Sequence, residues 1–260
     1  MSASLEVEQI VIRNCKGTQE FDACVEVQKD VWKFADVELV PMHLFVVAEE
    51  IGGQVIGAFD GMDLVGFVLS FPGVHPHPQG PRPYLHSHLL AVRDSYRNAH
   101  IGRRLKLAQR QDAIERGFDL IEWTFDPLEI KNAYLNIVKL GAIVRRYSMN
   151  HYGGSSSPLH QGLPTDRIIA EWWLKSNRVT NLLESGKEPN FQTVQRIKVP
   201  SHISSWRSSE SDRPKAAEIQ TRNREEFISA FSQGMAVLGF TRDQDSNGTY
   251  LLGHWPEEQS

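Results

Sequence analysis

Cysteine, long apolar runs and an excess of positive charge are all scarce in this 260-residue chain. Each scarcity closes off a class of protein. The two cysteines, Cys15 and Cys24, are too few for a disulfide framework, and no His/Cys cluster has zinc spacing. Two buried, reduced thiols are the expectation. No apolar run approaches the roughly 18 residues that a membrane-spanning helix needs. The segment Met1–Gln9 is polar and acidic, without the apolar core of a secretory signal. A soluble, cytoplasmic protein with no membrane partner is the default. Lys plus Arg number 28 against 32 Asp plus Glu, a formal net charge of −4. That balance argues against a general nucleic-acid binder. What remains is ordinary for a globular protein, with 40% hydrophobic and 23% charged residues. A chain this long buries enough surface to fold without staples.

Patterning supplies the elements. Ile10–Cys15 alternates as a half-buried strand does. Thr18 then caps a helix with Phe21, Cys24, Val25, Val31 and Trp32 near a 3.6-residue period, Gln28 being the polar exception. Pro41 opens a second, shorter helix that ends at Gly52-Gly53. Gln54–Phe59 and Leu64–Phe71 read as strands joined at Asp60-Gly61, a hairpin signal. Pro72–Pro83 holds five prolines and two histidines and reads as a loop. Tyr84–Val92 reads as a strand, Arg103–Arg116 as a basic helix, Asp119–Phe125 as a strand and Leu128–Leu140 as a helix stopped by Gly141. Strands over Ile143–Met149 and Arg167–Leu174 flank a Gly/Ser-rich loop from Gly153 to Pro164. The order is β-α-α-β-β-β-α-β-α-β-β, a mixed-sheet α/β or α+β domain over residues 1–175. Ser176–Asn190 reads as a linker. Residues 191–260 read as a small α/β extension packed on the first domain, with a strand over Phe191–Val199, a helix over Pro214–Gly234 and a hairpin over Ala236–Thr241 and Thr249–His254.

The most informative stretch is Leu89 to Leu105. An apolar strand enters a short loop, and a helix begins near Gly102. A helix N-terminus presents unpaired N–H groups and a positive dipole end, which stabilises a pyrophosphate. Glycine lets that backbone approach closely. Arg97, Arg103, Arg104 and Lys106 add local positive charge. Here the chain resembles the GNAT superfamily of N-acetyltransferases, whose signature is Arg/Gln-x-x-Gly-x-Gly/Ala after the fourth strand, following a Val-x-x-x-Tyr/Phe-Arg run. Val92, Tyr96, Arg97, Ile101 and Gly102 fit, while His100 stands where the first glycine belongs. The resemblance spans roughly residues 10–175. It extends more narrowly to a bacterial GNAT group through Leu85–His88, Trp123–Leu128, Asn132-Ala133, Leu140–Ala142 and Gly162–Arg167.

The resemblance implies acetyl-CoA, or another acyl-CoA, as cofactor. It assigns the cofactor contacts to Leu90, Ala91, Val92, Arg97, Asn98, Ala99, His100, Ile101, Gly102 and Arg103, with Asn132 and Asn136 as amide partners. Backbone of Leu90 and Val92 is expected to meet pantetheine, and the Leu90 N–H to polarise the thioester. A general base is expected at His86, with His88 two residues on as the second candidate. The family's acid, a tyrosine, falls at Ile137 here; Tyr134 is the candidate replacement, packing being the competing reading.

On the acceptor side, Glu122 is expected to face the substrate. Asp126 either caps the following helix or binds an ammonium. Arg167 either pairs with Asp166 or contacts a carboxylated substrate. His75 and His77 lack a third ligand, so no metal is expected. The acceptor is a small-molecule amine or amino acid, and a homodimer stays open. A coenzyme A-binding protein without turnover, and a protein-modifying enzyme docking through residues 201–260, are the competing readings.

Overall fold

The computed structural model describes residues 9–32, 39–153 and 162–255. Most of the expected Gly/Ser-rich loop, and the ends of the chain, lie outside them. The chain divides into two compact units, Met1–Ile121 and Glu122–Ser260.

The first unit carries β1 (Val11–Asn14), α1 (Gly17–Trp32), α2 (Met42–Glu50), β2 (Gln54–Asp60), β3 (Asp63–His75), β4 (Arg82–Val92) and α3 (Ile101–Glu115). Its strands follow chain order, β1-β2-β3-β4, each antiparallel to the next. One sheet face buries Phe59, Phe67, Leu69 and Ala91 against Phe21, Cys24 and Val27 of α1 and Phe45 and Ala48 of α2. The other packs Ile56, Val65 and Val68 against Ile101 and Leu105 of α3. Phe45 is fully buried, stacked on Phe21 at 6.3 Å and edge-on to Phe67 at 5.6 Å. Both cysteines are buried and free. Gln28, the polar residue on the apolar stripe of α1, is also fully buried. Its amide accepts from Val40 N–H at 2.9 Å and donates to Val40 O at 3.0 Å, so burial leaves nothing unpaired.

The proline-rich stretch departs from expectation. β3 runs on to His75 and β4 starts at Arg82, with Pro72 opposite Leu85 and Pro83 opposite Val74. Only residues 76–81 form the loop. Proline is tolerated in a ladder where its nitrogen has no donor role, and His75 stacks flat on Tyr84 at 4.1 Å.

The second unit contains most of β5 (Leu120–Phe125), then α4 (Ile130–Ala133), β6 (Ile143–Ser148), β7 (Arg167–Trp173), α5 (Asn177–Ser185), β8 (Gln195–Val199), α6 (Ile203–Ser208), α7 (Arg213–Ser232), β9 (Met235–Arg242) and β10 (Gly248–His254). Strand order is β5-β7-β6-β9-β10-β8. The C-terminal strands therefore continue the sheet through Val144 opposite Val237. The whole is a mixed α+β fold. Where the sequence reads as a linker, Ser176 caps α5 by accepting from Val179 N–H, and Gly186 ends it at φ +66°. The expected regular helix before Gly141 is one α turn followed by a π-helical segment, Tyr134–Lys139, with Leu140 N–H donating to Leu135 O at 3.0 Å.

Buried polar contacts fasten these pieces. Trp172 Nε1 donates to Leu140 O and Tyr250 Oη to Pro127 O, both at 2.7 Å. Arg178 donates to the carbonyls of Gly141 and Leu238. At the end of the sheet β8 exposes Arg196 and Lys198, and Arg222 and Asn223 of α7 both donate to Lys198 O.

Phe45→Ala removes a sealed ring and is expected to cost about 3–5 kcal/mol of folding free energy, read by urea denaturation. A loss under about 1 kcal/mol would mean that the α1–α2 layer does not form the core described.

Candidate functional site

β4 holds one residue more than β3 can pair. Leu69 lies opposite Leu89 and Ser70 opposite Ser87, so His88 is a β-bulge. The bulge breaks the alternation. Ser87 reaches Lys106 on α3, whereas Leu89 and Ala91, of the same parity, join the α1–α2 core. His86 and His88 stay neighbours, ring centroids 5.9 Å apart, with Phe71 edge-on to His88 at 5.8 Å. The His88 ring is reached by solvent, yet surrounding protein strips enough hydration to hold its pKa below the usual histidine value. Past the bulge, Leu90 and Val92 pack toward Ile101 and Leu105.

The loop that follows is anchored at Arg93 and Tyr96. Arg93 N–H donates to Val65 O, its side chain to Leu64 O and to Asp30. Tyr96 Oη donates to Asp60 at 2.7 Å. Asn98 and His100 then adopt left-handed conformations, φ +66° and +58°. This conformation is why glycine suits the position of His100; a histidine there carries roughly 1–2 kcal/mol of strain. Its side chain is exposed. α3 begins at Ile101 with no side-chain cap. Its first internal bond is Arg104 N–H to His100 O at 3.0 Å. The N–H groups of Ile101, Gly102 and Arg103 thus have no partner among the described residues. A Cβ added to Gly102 would meet nothing nearer than Leu90 Cδ2 at 3.8 Å. The missing side chain is therefore not required by packing, and the open space sits over unpaired donors, as a phosphate requires. Arg97 is exposed and pairs with Asp94 at 2.7 Å.

Beneath this helix start lies a feature that the sequence reading used only as surface charge. Lys106 is 2% exposed. Its Nζ donates to Ser87 Oγ at 2.7 Å and Gln109 Oε1 at 3.0 Å, and burial pushes its pKa down to about 7. Helical spacing was the available signal, since Lys106 falls beside Leu105 on the buried side of α3.

In the second unit Glu122 is buried and ion-paired with Arg146. Thr124 exchanges a hydrogen bond with Tyr152 Oη at 3.0 Å, and the Arg167 guanidinium lies 5.2 Å over the Tyr152 ring. Arg167 also donates to Asp166 O. Asp126 does not cap α4, whose N-cap position is Glu129; it holds the turn before the helix, where Oδ1 accepts from Leu128 N–H at 2.8 Å and the carboxylate pairs with buried Arg207 at 2.8 Å. Both of its oxygens are engaged within the second unit. Asn132 and Asn136 do not share an environment, because the π-helical turn intervenes; Asn132 is exposed and Asn136 is 5% exposed. The Asn136 side chain has no hydrogen-bond partner among the described residues. Tyr134 packs under two cations, Arg242 at 4.7 Å and Lys139 at 5.3 Å. Ile137, at the expected position of the acid, is buried. No cluster of three metal-ligating side chains occurs among the described residues, and no described helix is long and apolar enough to cross a membrane.

The Lys106 shift has a measurable sign. Its folded pKa lies below the unfolded value, so between about pH 7 and 10.5 the unfolded chain binds more protons and stability rises with pH. The urea midpoint is expected to climb from pH 7 to 9.5, and Lys106→Met to flatten that climb. An unchanged slope in the variant would place the proton elsewhere.

No protein-family model and no curated protein sequence matches the chain. Solved structures do. An N-acetyltransferase from Staphylococcus aureus Mu50 superposes with a TM-score of 0.52 at 15% identity, over 64% of this chain and 99% of that one. The ribosomal-protein-S18-alanine N-acetyltransferase of Escherichia coli gives 0.48 at 14% identity, over 62% and 92%. A GNAT family acetyltransferase from Elizabethkingia anophelis, with acetyl-CoA bound, gives 0.46 at 15%, over 64% and 99%. At such identities the likeness is one of fold alone: over 64% of its length the chain shares the fold of the Staphylococcus aureus N-acetyltransferase.

Proposed function

We propose that the chain is an acyl-coenzyme A-dependent N-acyltransferase, moving an acetyl or other short acyl group to the amine of a small molecule or amino acid. The observation that carries this reading is the start of α3. Three unpaired N–H groups, at Ile101, Gly102 and Arg103, sit behind a doubly left-handed loop with open space over Gly102. These groups would hold the cofactor's pyrophosphate through hydrogen bonds and the helix dipole, with Arg97 and Arg103 adding charge. Asn98, Ala99 and His100 supply the loop backbone, and Leu90, Ala91 and Val92 the strand that leads to it. Asn136 keeps an unengaged amide, and Asn132 an exposed one, for the cofactor's own amides.

Bound there, acyl-coenzyme A supplies an activated thioester. The chain's residues have the remaining work. An amine attacks only when neutral, and His86 or His88 takes its proton. The depressed pKa of His88 keeps that ring neutral, and so able to accept, at pH 7. The Leu90 N–H is the donor assigned to the developing oxyanion. With Ile137 at the usual acid position and Tyr134 held under two cations, the departing thiolate takes its proton from water or from Tyr134; a thiol pKa near 8.5 makes either adequate. A cytoplasmic location accords with this chemistry, and neither nucleic acid nor membrane is needed.

Calorimetric titration with acetyl-CoA tests the reading. The wild type is expected to bind at micromolar concentration, Gly102→Glu to abolish binding by placing a carboxylate over the donors, and His86→Ala to keep binding while losing roughly 10²–10⁴ in kcat. Binding with no turnover on any amine would favour a coenzyme A-binding protein instead. No binding by the wild type would sink both.

A further inference from the structure

Between two fixed pairs, β3 and β4 hold unequal numbers of residues. Leu85 lies opposite Pro72 and Leu89 opposite Leu69. Inside that frame β3 offers Ser70 and Phe71, whereas β4 offers His86, Ser87 and His88. One residue of β4 must therefore bulge. Ser87 pairs with Ser70 and His86 with Phe71, so His88 is the one. Apolar burial does not make this choice, since Leu85 and Leu89 keep their partners whichever residue is extra.

The two faces of the sheet do distinguish the choices. Ser70 is turned to α3: its Oγ donates to Gln54 Oε1 at 2.9 Å, and Gln54 Nε2 donates to Gln109 O at 3.0 Å and to Asp112 at 2.6 Å. Phe71 is turned the other way, onto the α1–α2 core. Were Ser87 or His86 the extra residue, His88 would stand opposite Ser70, beneath α3, by a one-residue slip that exchanges faces. Only with His88 extra does Ser87 Oγ come to Lys106 Nζ, at 2.7 Å. All of these residues belong to the first unit.

The contact is kept at a cost. Lys106 is 2% exposed and Ser87 5%, and a buried ammonium is unfavourable. Gln109 gives the lysine its Oε1 at 3.0 Å, although its Nε2 then has no hydrogen-bond partner among the described residues. An apolar side chain of like length would fill the space without either penalty. It would not tell the serine from the histidines on either side. Fixing a register is the use of a buried polar group that matches this arrangement.

We propose that Lys106 is a positioning residue, which by holding Ser87 selects His88 as the bulged residue and sets it beside His86 as a base for the acceptor amine. The role as a base rests on the acyltransferase reading above; the choice of register does not.

Nuclear magnetic resonance of the full chain tests the register without any acyl-coenzyme A. In the wild type the cross-strand NOE contacts of Ser70 are expected to go to Ser87. In Lys106→Met and in Ser87→Ala they are expected to divide between residues 87 and 88, and the His88 imidazole, assigned with His88→Gln, to titrate at a changed pKa. Ser87→Thr, which retains the hydroxyl, should keep the wild-type register and titration. The Lys106→Met/Ser87→Ala double variant should go no further than the stronger single one, because both remove the same contact. With acetyl-CoA and an accepted amine, each single variant should lose roughly tenfold to a hundredfold in kcat, with KM for acetyl-CoA unchanged. Unmoved Ser70 contacts and His88 titration in both variants, or a moved register with kcat intact, overturn the proposal and leave the acyltransferase reading standing. A moved register in a protein that acetylates no amine keeps the choice of bulge and overturns that reading. If Lys106→Met fails to fold, Ser87→Ala and Ser87→Thr decide the matter alone.

Discussion

The first unit depends on one surplus residue in β4. With His88 unpaired, the strand presents its residues out of step on either side of the bulge. Before it, Ser87 meets Lys106 beneath α3; after it, Leu89 and Ala91 enter the α1–α2 core, and Leu90 and Val92 pack toward Ile101 and Leu105. A strand in perfect register would put Ser87 and Leu89 on one face, so either a serine would enter the aromatic core or a leucine would displace the Lys106 contact. The bulge lets one strand serve two chemically different layers, and it leaves His88 as the residue not committed to either.

The same device recurs in β6. There the extra residue, Arg145, gives two adjacent arginines a common face. In both strands the side chains with titratable or charged groups gather where pairing fails, because a bulge frees a side chain from alternation and re-aims it. Buried Glu171 and Glu122 would be costly alone; held by arginines, they become the rigid base of a charged surface.

Element order was legible from periodicity and punctuation almost throughout, because glycine or proline marks many of the element ends in residues 10–175. The loop after β4 was legible through Val92, Tyr96, Arg97 and Gly102. Three things were not. Pro72 and Pro83 look like loop residues, but a β-ladder tolerates proline where no donor is needed, so β3 and β4 run longer than composition suggests. α5 was hidden by polarity, although Ser176 and Gly186 are ordinary start and stop signals. The bulges left no mark at all: alternation rules assume pairing, and nothing in Leu-His-Ser-His or Val-Arg-Arg-Tyr announces a missing partner. For that reason Arg145 and Arg146 went unread, while Asp126, visible beside a proline, holds the turn at Leu128 and pairs with Arg207.

The last strand of the second unit has a consequence for assembly. An edge strand is a template for further strands unless its free backbone groups are blocked. β8 is five residues long, exposes Arg196 and Lys198, and has the Lys198 carbonyl taken by Arg222 and Asn223 of α7. A neighbouring copy approaching this edge meets two like charges and an acceptor already in use. The sheet is thereby terminated by its own chain, and growth by strand addition, the route to fibres, is closed at that end.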